Sequence, residues 1–565
     1  FHNMRIFLLI VFLFINNNIK SQDFSEIKKD DLLKVSGSIG AISTYYNGPS
    51  ERAPFFWQLQ ANLNITTPLL SMPISFVLNQ QQKSFDYPKQ PFNQYGLSPK
   101  YKSITLLLGY RSMQFSEFSL SGNQFFGLGL EIAPKDKKFK YKCLVGRFSK
   151  AIFGDTIDVV LGAIPTFERR GWGNHLELGS ASNNISLLLF KAKDDANSIS
   201  SLYDSSVVFK PAENLIFGIT TKQKINKQLS FNAEIDWSAF TSNTRNPESV
   251  TPGFSYLNNL GSLFYANNTT TFNNAISTNL KYTKKNLGLK FGYRRIAPEY
   301  KTMGSVYLNN DFEDLTSSLA YKLFKNKINF NLTGGLQRNN LSSDKVTQML
   351  RKIYAISANF VPNSKWNFNL QYSNFNASTQ KTLVLVMDTS LVPLSIKNFA
   401  QVTESAGLQV MFNNPSQKNI FTSFLSSNYQ NAKVSVDDST TSDATFYNTS
   451  LGSSVNWSKS KTSLSLLVNA NLNISENPNA STLGPSLVIS KTFLKTPINT
   501  NLSVSILQSF IDNQPLGLVT TGNFSANYRH KEKHSFSLSL VLANRLKANK
   551  RETEIITSLN YNYTF

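Results

Sequence analysis

Residues Leu229 to Ala239 alternate without a break. Leu229, Phe231, Ala233, Ile235, Trp237 and Ala239 are apolar, and Ser230, Asn232, Glu234, Asp236 and Ser238 between them are polar. Successive side chains of a strand point to opposite faces, so this stretch has one oily and one wet face. The pattern returns at Trp57 to Thr66, Ile328 to Gln337, Trp366 to Ser373, Ser463 to Ile474, Ile498 to Ile506 and Ser535 to Leu542. A helix would place apolar residues at i, i+3 and i+4, and these segments do not. Strands of roughly ten residues and period two, sustained without a linker or a shift in composition, are the signature of an all-β fold, the transmembrane antiparallel β-barrel. A soluble sandwich shows alternation too, but over this length it would divide into domains.

Composition excludes the competing classes. Charged residues make up 16% of the 565 residues, against about 25% in ordinary soluble domains. After residue 15 no apolar run approaches the roughly 20 residues of a membrane-spanning helix. The single cysteine, Cys143, rules out a disulfide framework, and 43 Phe and 22 Tyr do not suit a disordered chain. Cys143 alternates with Tyr141 and Val145, which reads as a buried or lipid-facing small residue.

The N-terminus reads as a secretory signal. Met4 is the expected true start, Arg5 is its positive charge, Ile6 to Ile15 is an apolar core, and Lys20-Ser21-Gln22 is the cleavage region. Residues 1–21 are thus expected to be removed, 22–33 to form a short periplasmic segment and 34–565 to form the barrel. No cysteine follows the apolar core, so the signal is not of the lipoprotein type.

Connections set the orientation. From Lys224 onward, short turns at 224–228, 283–286, 324–327, 362–365, 414–418, 458–461 and 529–534 alternate with long polar loops at 241–273, 297–314, 376–399 and 429–445. Barrels of the outer membrane put short turns in the periplasm and long loops outside. Between Arg111 and Ala212 this alternation loses its parity. Spacing predicts about 24 strands, within 22 to 26, because single-chain bacterial barrels favour even numbers. The chain ends on alternating Tyr561, Tyr563 and Phe565, the form of a C-terminal assembly signal read by barrel-assembly machinery.

A barrel this wide needs filling, since barrels of about 22 strands carry a plugged lumen. Residues 23–33 are too few for a plug domain, which leaves an inward loop or a separate subunit. The segment Thr166 to His175 carries adjacent arginines, glycines and an indole, and is expected to fold inward as a lumen constriction built on Arg169, Arg170 and Trp172.

The net charge of +22 is unevenly spread. Lys224, Lys284, Lys285, Lys325, Lys327, Lys459, Lys461, Lys531 and Lys533 lie in or beside short turns and form a basic periplasmic rim. Asp194, Asp195, Asp311, Glu313, Asp314, Asp437, Asp438 and Asp443 gather at the opposite end. Such a rim would attract lipid phosphates or an acidic partner. Lumen positions are mostly Asn, Ser, Thr and Gln, and a secreted barrel does not meet nucleic acid.

No catalytic, metal or cofactor constellation emerges. Beyond the signal, the histidines are His175, His530 and His534. The last two are four apart across a turn, without the Glu-containing motif of a zinc protease. No Gly-x-Ser-x-Gly elbow occurs. An enzyme is not expected.

The signal ending Ser21-Gln22, the terminal Tyr563-Thr564-Phe565 and the stretch Ser103 to Lys150 together resemble large outer-membrane β-barrel proteins of the Bacteroidota. Within that stretch the features are Leu108-Gly109-Tyr110-Arg111, Gly127-Leu128-Gly129-Leu130-Glu131 and Gly146-Arg147-Phe148-Ser149-Lys150. The resemblance implies a porin-like fold and an outer-membrane location, and transfers no activity. The expectation is a channel for polar solutes in contact with outer-membrane lipid and lipopolysaccharide. The alternative is a non-enzymatic subunit of an outer-membrane complex for protein secretion or barrel assembly.

Overall fold

The structure is a computed structural model. It describes residues 33–565 apart from 51–52, 81–92, 136, 153–165, 200–209, 249–260, 262, 344–349, 384–395, 416–418, 437–438, 476–477 and 548–549. The expected signal peptide and residues 22–32 of the segment after it lie outside the described residues. Among the described residues no helix is long and apolar enough to cross a membrane.

Antiparallel strands follow one another in a single meander. β1 (Lys34–Asn47), β2 (Phe55–Thr66) and β3 (Leu70–Asn79) open it. β4 (Gln94–Leu97) and β5 (Lys100–Tyr101) both pair with β3 on one side and with β6 (Ile104–Ser112) on the other, so they are two halves of one stave. The break falls at Ser98-Pro99, where proline has no N–H for the ladder. Next come β7 (Gln124–Ile132), β8 (Phe139–Ser149), β9 (Arg169–Gly179), β10 (Asn183–Asp194) and β11 (Glu213–Lys224). β12 (Leu229–Thr241), β13 (Thr270–Lys284), β14 (Leu287–Ile296), β15 (Phe312–Leu323) and β16 (Ile328–Asn339) continue the wall. β17 (Leu350–Phe360) leads into long staves, β18 (Trp366–Leu383), β19 (Ile396–Pro415), β20 (Asn419–Val436) and β21 (Ser439–Trp457). The last six are β22 (Thr462–Ser475), β23 (Ala480–Thr492), β24 (Ile498–Ile511), β25 (Gln514–His530), β26 (His534–Lys547) and β27 (Lys550–Thr564).

β27 pairs back onto β1, from Ser38 opposite Thr564 to Asn47 opposite Ile555, which closes the barrel. Gly37 and Phe565 seal the seam with reciprocal backbone hydrogen bonds of 2.9 and 3.0 Å. Counting β4 and β5 as one, the closed antiparallel barrel has 26 staves, the upper end of the expected range. An even number returns both ends of the barrel to one rim. The connections of that rim are all short, from 285–286 to 133–138, and it is called the turn rim; the opposite one, which carries the long connections as well as a tight turn at 512–513, is the loop rim.

The two faces differ as the alternation requires. Leu59, Leu315, Leu370, Leu451, Leu466, Val468, Leu502, Leu538 and Leu559 are exposed on the outer face. The inner face of the later staves is a polar ladder. Ser450 donates to Asn469 at 2.8 Å, Asn469 to Ser486 at 3.0 Å, Asn501 to Ser490 at 2.7 Å and Asn523 to Ser503 at 3.2 Å. Aromatic rings mark the turn rim of the outer face, in one group of Phe360, Trp366, Phe368 and Phe412 and another of His534, Phe536, Tyr561, Tyr563 and Phe565.

Three expectations are corrected. Turn and loop parity holds across residues 111–212, where the sequence obscures it. Half of the expected loop at 376–399 belongs to β18 and β19, its residues 384–395 lying outside the described residues, and the one at 429–445 is largely β20 and β21. From Arg169 on, the segment 166–175 is wall rather than an inward loop, because β9 begins there.

Candidate site: two loops folded onto the inner wall

The inner face of β6 to β11 is apolar, unlike the rest of the lumen. Leu107, Phe125, Leu144, Phe148, Leu188, Phe190 and Ile216 all point inward and are buried. Such a surface facing a wet bore needs a cover, and two connections from the loop rim supply it.

The first, residues 113–123 between β6 and β7, brings Met113, Phe115 and Leu120 onto this patch. Its turn is closed by Phe115 N–H to Leu120 carbonyl at 3.1 Å, and Ser119 N–H donates to Ser116 Oγ at 3.1 Å. Ser116 Oγ then donates to Asp236 on β12 at 2.6 Å, and Phe118 N–H donates to Glu234 at 3.3 Å. These polar contacts fix the loop's height on the wall, while burial of Phe118 and Leu120, both 0% exposed, supplies the adhesion. Each such side chain contributes about 1.5–3 kcal/mol.

The second connection, residues 297–311 between β14 and β15, locks over the first. Tyr300 donates its hydroxyl to Phe118 carbonyl at 3.0 Å, Thr302 donates to Ser119 carbonyl at 2.7 Å, and Ser121 N–H donates to Gly304 carbonyl at 3.1 Å. Met303 joins the apolar cluster, and its N–H reaches Asn214 on β11 at 3.1 Å. Gly304 sits where a Cβ would lie 2.6 Å from Ser119 carbonyl and 2.8 Å from the Phe190 ring, so only glycine fits. Burial, followed by the nearby Asp236 and Glu234 carboxylates, pushes the Tyr300 phenol well above its ordinary range. It therefore stays a neutral donor.

Glycines on the wall make the fit possible. A Cβ on Gly173 would lie 2.5 Å from the Phe115 ring, and one on Gly171 would lie 2.9 Å from the Phe148 ring. His175, on the same face, stacks on Phe115 at 5.6 Å. At the tip of the first loop Glu117 is exposed and pairs with Arg294 at 3.2 Å, and Arg294 lies over the Phe118 and Phe312 rings. The covered patch thus presents a charged, hydrated surface to the bore.

The expected constriction residues are separated by the strand they share. Arg169 faces inward and forms a bidentate pair with Asp194, at 2.8 and 3.2 Å. Arg170 and Trp172 lie on the opposite, outer face, since neighbours in a strand alternate. Loops 113–123 and 297–311 occupy the place assigned to 166–175. The signal for the first was present, in Met113, Phe115, Phe118 and Leu120 crowded into a connection.

The structure places Lys284, Lys285, Lys325, Lys327, Lys459, Lys461, Lys531 and Lys533 in or beside the turns of one rim, and Lys224 ends β11 there. At the loop rim, Asp194 is neutralised by Arg169, and Glu313 pairs with Arg338. Asp437 and Asp438 lie outside the described residues. Among the described residues no group of three or more His, Cys, Asp or Glu side chains is placed to hold a metal.

Fold and site define a large closed antiparallel β-barrel with its own loops folded against one sector of the bore. Solved structures similar in outline are the FrpB iron transporter of Neisseria meningitidis, the P pilus usher (PapC) translocation pore and OccAB2 of Acinetobacter baumannii. FrpB is 10% identical over 94% of this chain and 81% of its own, with a TM-score of 0.35. The usher pore is 10% identical over 94% and 100%, at 0.35, and OccAB2 is 9% identical over 63% and 92%, at 0.28. No family model matches the chain, and no curated protein sequence does.

Proposed function

We propose that the chain is an integral outer-membrane barrel that passes polar solutes through a bore narrowed from one side by loops 113–123 and 297–311. The observation that carries this reading is the contrast within one lumen. One sector is covered by interlocked loops ending in the Glu117–Arg294 pair, and the other is a bare ladder of Asn, Ser and Thr. A bore lined this way suits hydrated solutes and offers no apolar track. The turn rim faces the periplasm in this orientation, and Tyr561, Tyr563 and Phe565 are the strand end that barrel-assembly machinery reads. The role is non-enzymatic.

Reconstitution of the folded chain in planar bilayers tests it. The expected result is a steady ohmic conductance that rises when residues 113–123 are replaced by a short Gly/Ser turn. A silent membrane from protein shown to be folded would overturn the channel reading.

A second reading is favoured by the lysines of the turn rim. They form a ring suited to an acidic periplasmic partner, which would make the barrel a subunit of a larger outer-membrane complex. Stoichiometric partners after gentle extraction, lost on substituting Lys325, Lys327, Lys531 and Lys533 by Gln, would support it.

A further inference from the structure

The outer face of β8, β9 and β10 changes character near the loop rim. Lower down it is apolar, with Leu176 beside Leu187 and Leu178 beside Ile185. Above these, Val145, Trp172 and Lys191 lie in one row across the three strands, and Arg147, Arg170 and Lys193 in the next. Like charges directly opposite on neighbouring strands repel one another, so three cations abreast are held best by an anion laid across them.

Among the described residues the chain supplies only part of that countercharge. Glu168 pairs with Arg170 at 2.6 Å, and Glu213, 1% exposed, takes both Lys191 at 2.9 Å and Lys193 at 3.0 Å. Arg147 rests over the Phe126 ring at 5.3 Å rather than on a carboxylate. Four cations against two carboxylates leave a positive surplus. The Arg170 and Lys193 side chains are 75% and 51% exposed. They border a groove of about 530 Å³ floored by Val145, Gly146, Gly171 and Trp172. A second groove of about 570 Å³ continues past Arg170 and Lys193, beside Asp195 and the Asp194 carboxylate held by Arg169, to Arg245 and Tyr265.

We infer that this patch docks the phosphorylated headgroup of an outer-leaflet glycolipid. The phosphate bridges Arg147, Arg170 and Lys193, where guanidinium forks give paired charge-assisted hydrogen bonds. The indole of Trp172 sits at the boundary between headgroup and acyl chains, and the chains run down Val145, Leu176 and Leu187. The inference rests on the outer-membrane reading with the loop rim outward. Charge complementarity at headgroup height, directly above an apolar face, is what selects a lipid over a soluble anion.

The test uses the full chain folded in detergent, with purified bisphosphorylated lipid A as the probe and phosphatidylglycerol and inorganic phosphate as comparators, read by native mass spectrometry. The expected result is retention of lipid A at least about tenfold tighter than phosphatidylglycerol. R147E/K193E should lose about tenfold of that affinity, whereas R147K/R170K, which keeps the charge, should hold most of it. Both variants are checked for folding by heat-dependent gel mobility, and R170Q provides a milder substitution if the double reversal does not fold. Equal lipid A binding by a folded charge-removing variant, equal binding of phosphatidylglycerol, or displacement by equimolar phosphate would overturn the inference. Membrane fractionation is a separate arm. Recovery outside the outer membrane fails the location reading, while recovery within it together with unselective binding fails only the lipid site.

Discussion

Ser116 Oγ and Asp236 Oδ2 lie 2.6 Å apart, joining an inward loop to a wall strand 120 residues later in the chain. Both residues are buried, so the hydrogen bond is shielded from competing water. Ser116→Ala leaves a buried carboxylate without its donor, at a cost of about 1–3 kcal/mol. The expected outcome is greater open-channel current noise with little change in mean conductance. Unchanged noise in a single-channel record would show that the loop is held without this bond.

Phe118 and Tyr300 interlock the two loops by ring contact and by the Tyr300 hydroxyl. Truncating either to Ala should cost about 3–5 kcal/mol of docking. The two losses should not add, because the rings share one contact. Limited proteolysis from the loop-rim side is the measurement, with cleavage within 113–123 expected in each variant and not in the parent.

Ser121 and Ser305 form an isolated bridge between the loops. Bridged residues lie at the Cα separation a disulfide requires. S121C/S305C, made with Cys143→Ser to remove the competing thiol, should oxidise spontaneously and leave conductance near the parent value, since the bond only fixes an arrangement already present. A conductance that falls and recovers on reduction would instead mean that the loops move during conduction.

Gly37 holds the closing seam at a φ of 153°, where an added Cβ would lie 2.2 Å from the Asn62 carbonyl. Neither the dihedral nor the space admits a side chain. Gly37→Val should prevent β1 from meeting both β2 and β27, seen as loss of the compact unheated band on a gel. Gly522→Ala, at a position with nothing within 4 Å, is the control and should fold normally.

Most of the barrel was legible because most of its wall has one wet face. In β22 to β27 every second residue meets water, and period two survives in the sequence. The pattern fails in β6 to β11 for a physical reason. In β10, Leu187 and Leu189 point outward while Leu188 and Phe190 point inward beneath the loops, so alternation is replaced by a continuous apolar run. The same covering that hid the strand parity also hid the site, and Arg169-Arg170 drew attention because charge stands out where apolar contact does not. Parts of the long staves β18 to β21 read as loops because stretches such as Asn376-Ala377-Ser378-Thr379-Gln380-Lys381-Thr382 are polar without period two. Their pairing shows in the ladder and not in the composition.

The loop-covered sector has a mechanical consequence. From β6 to β15 the wall is two layers thick and cross-tied by Ser116–Asp236, Met303–Asn214 and Tyr300–Phe118, whereas the sector holding the β27–β1 seam is a single sheet. A ring splinted along one arc bends along the other. Breathing of the cylinder is therefore concentrated in the single-layered arc that contains the seam, and the stiff arc serves as the fixed edge against which the bore widens or narrows.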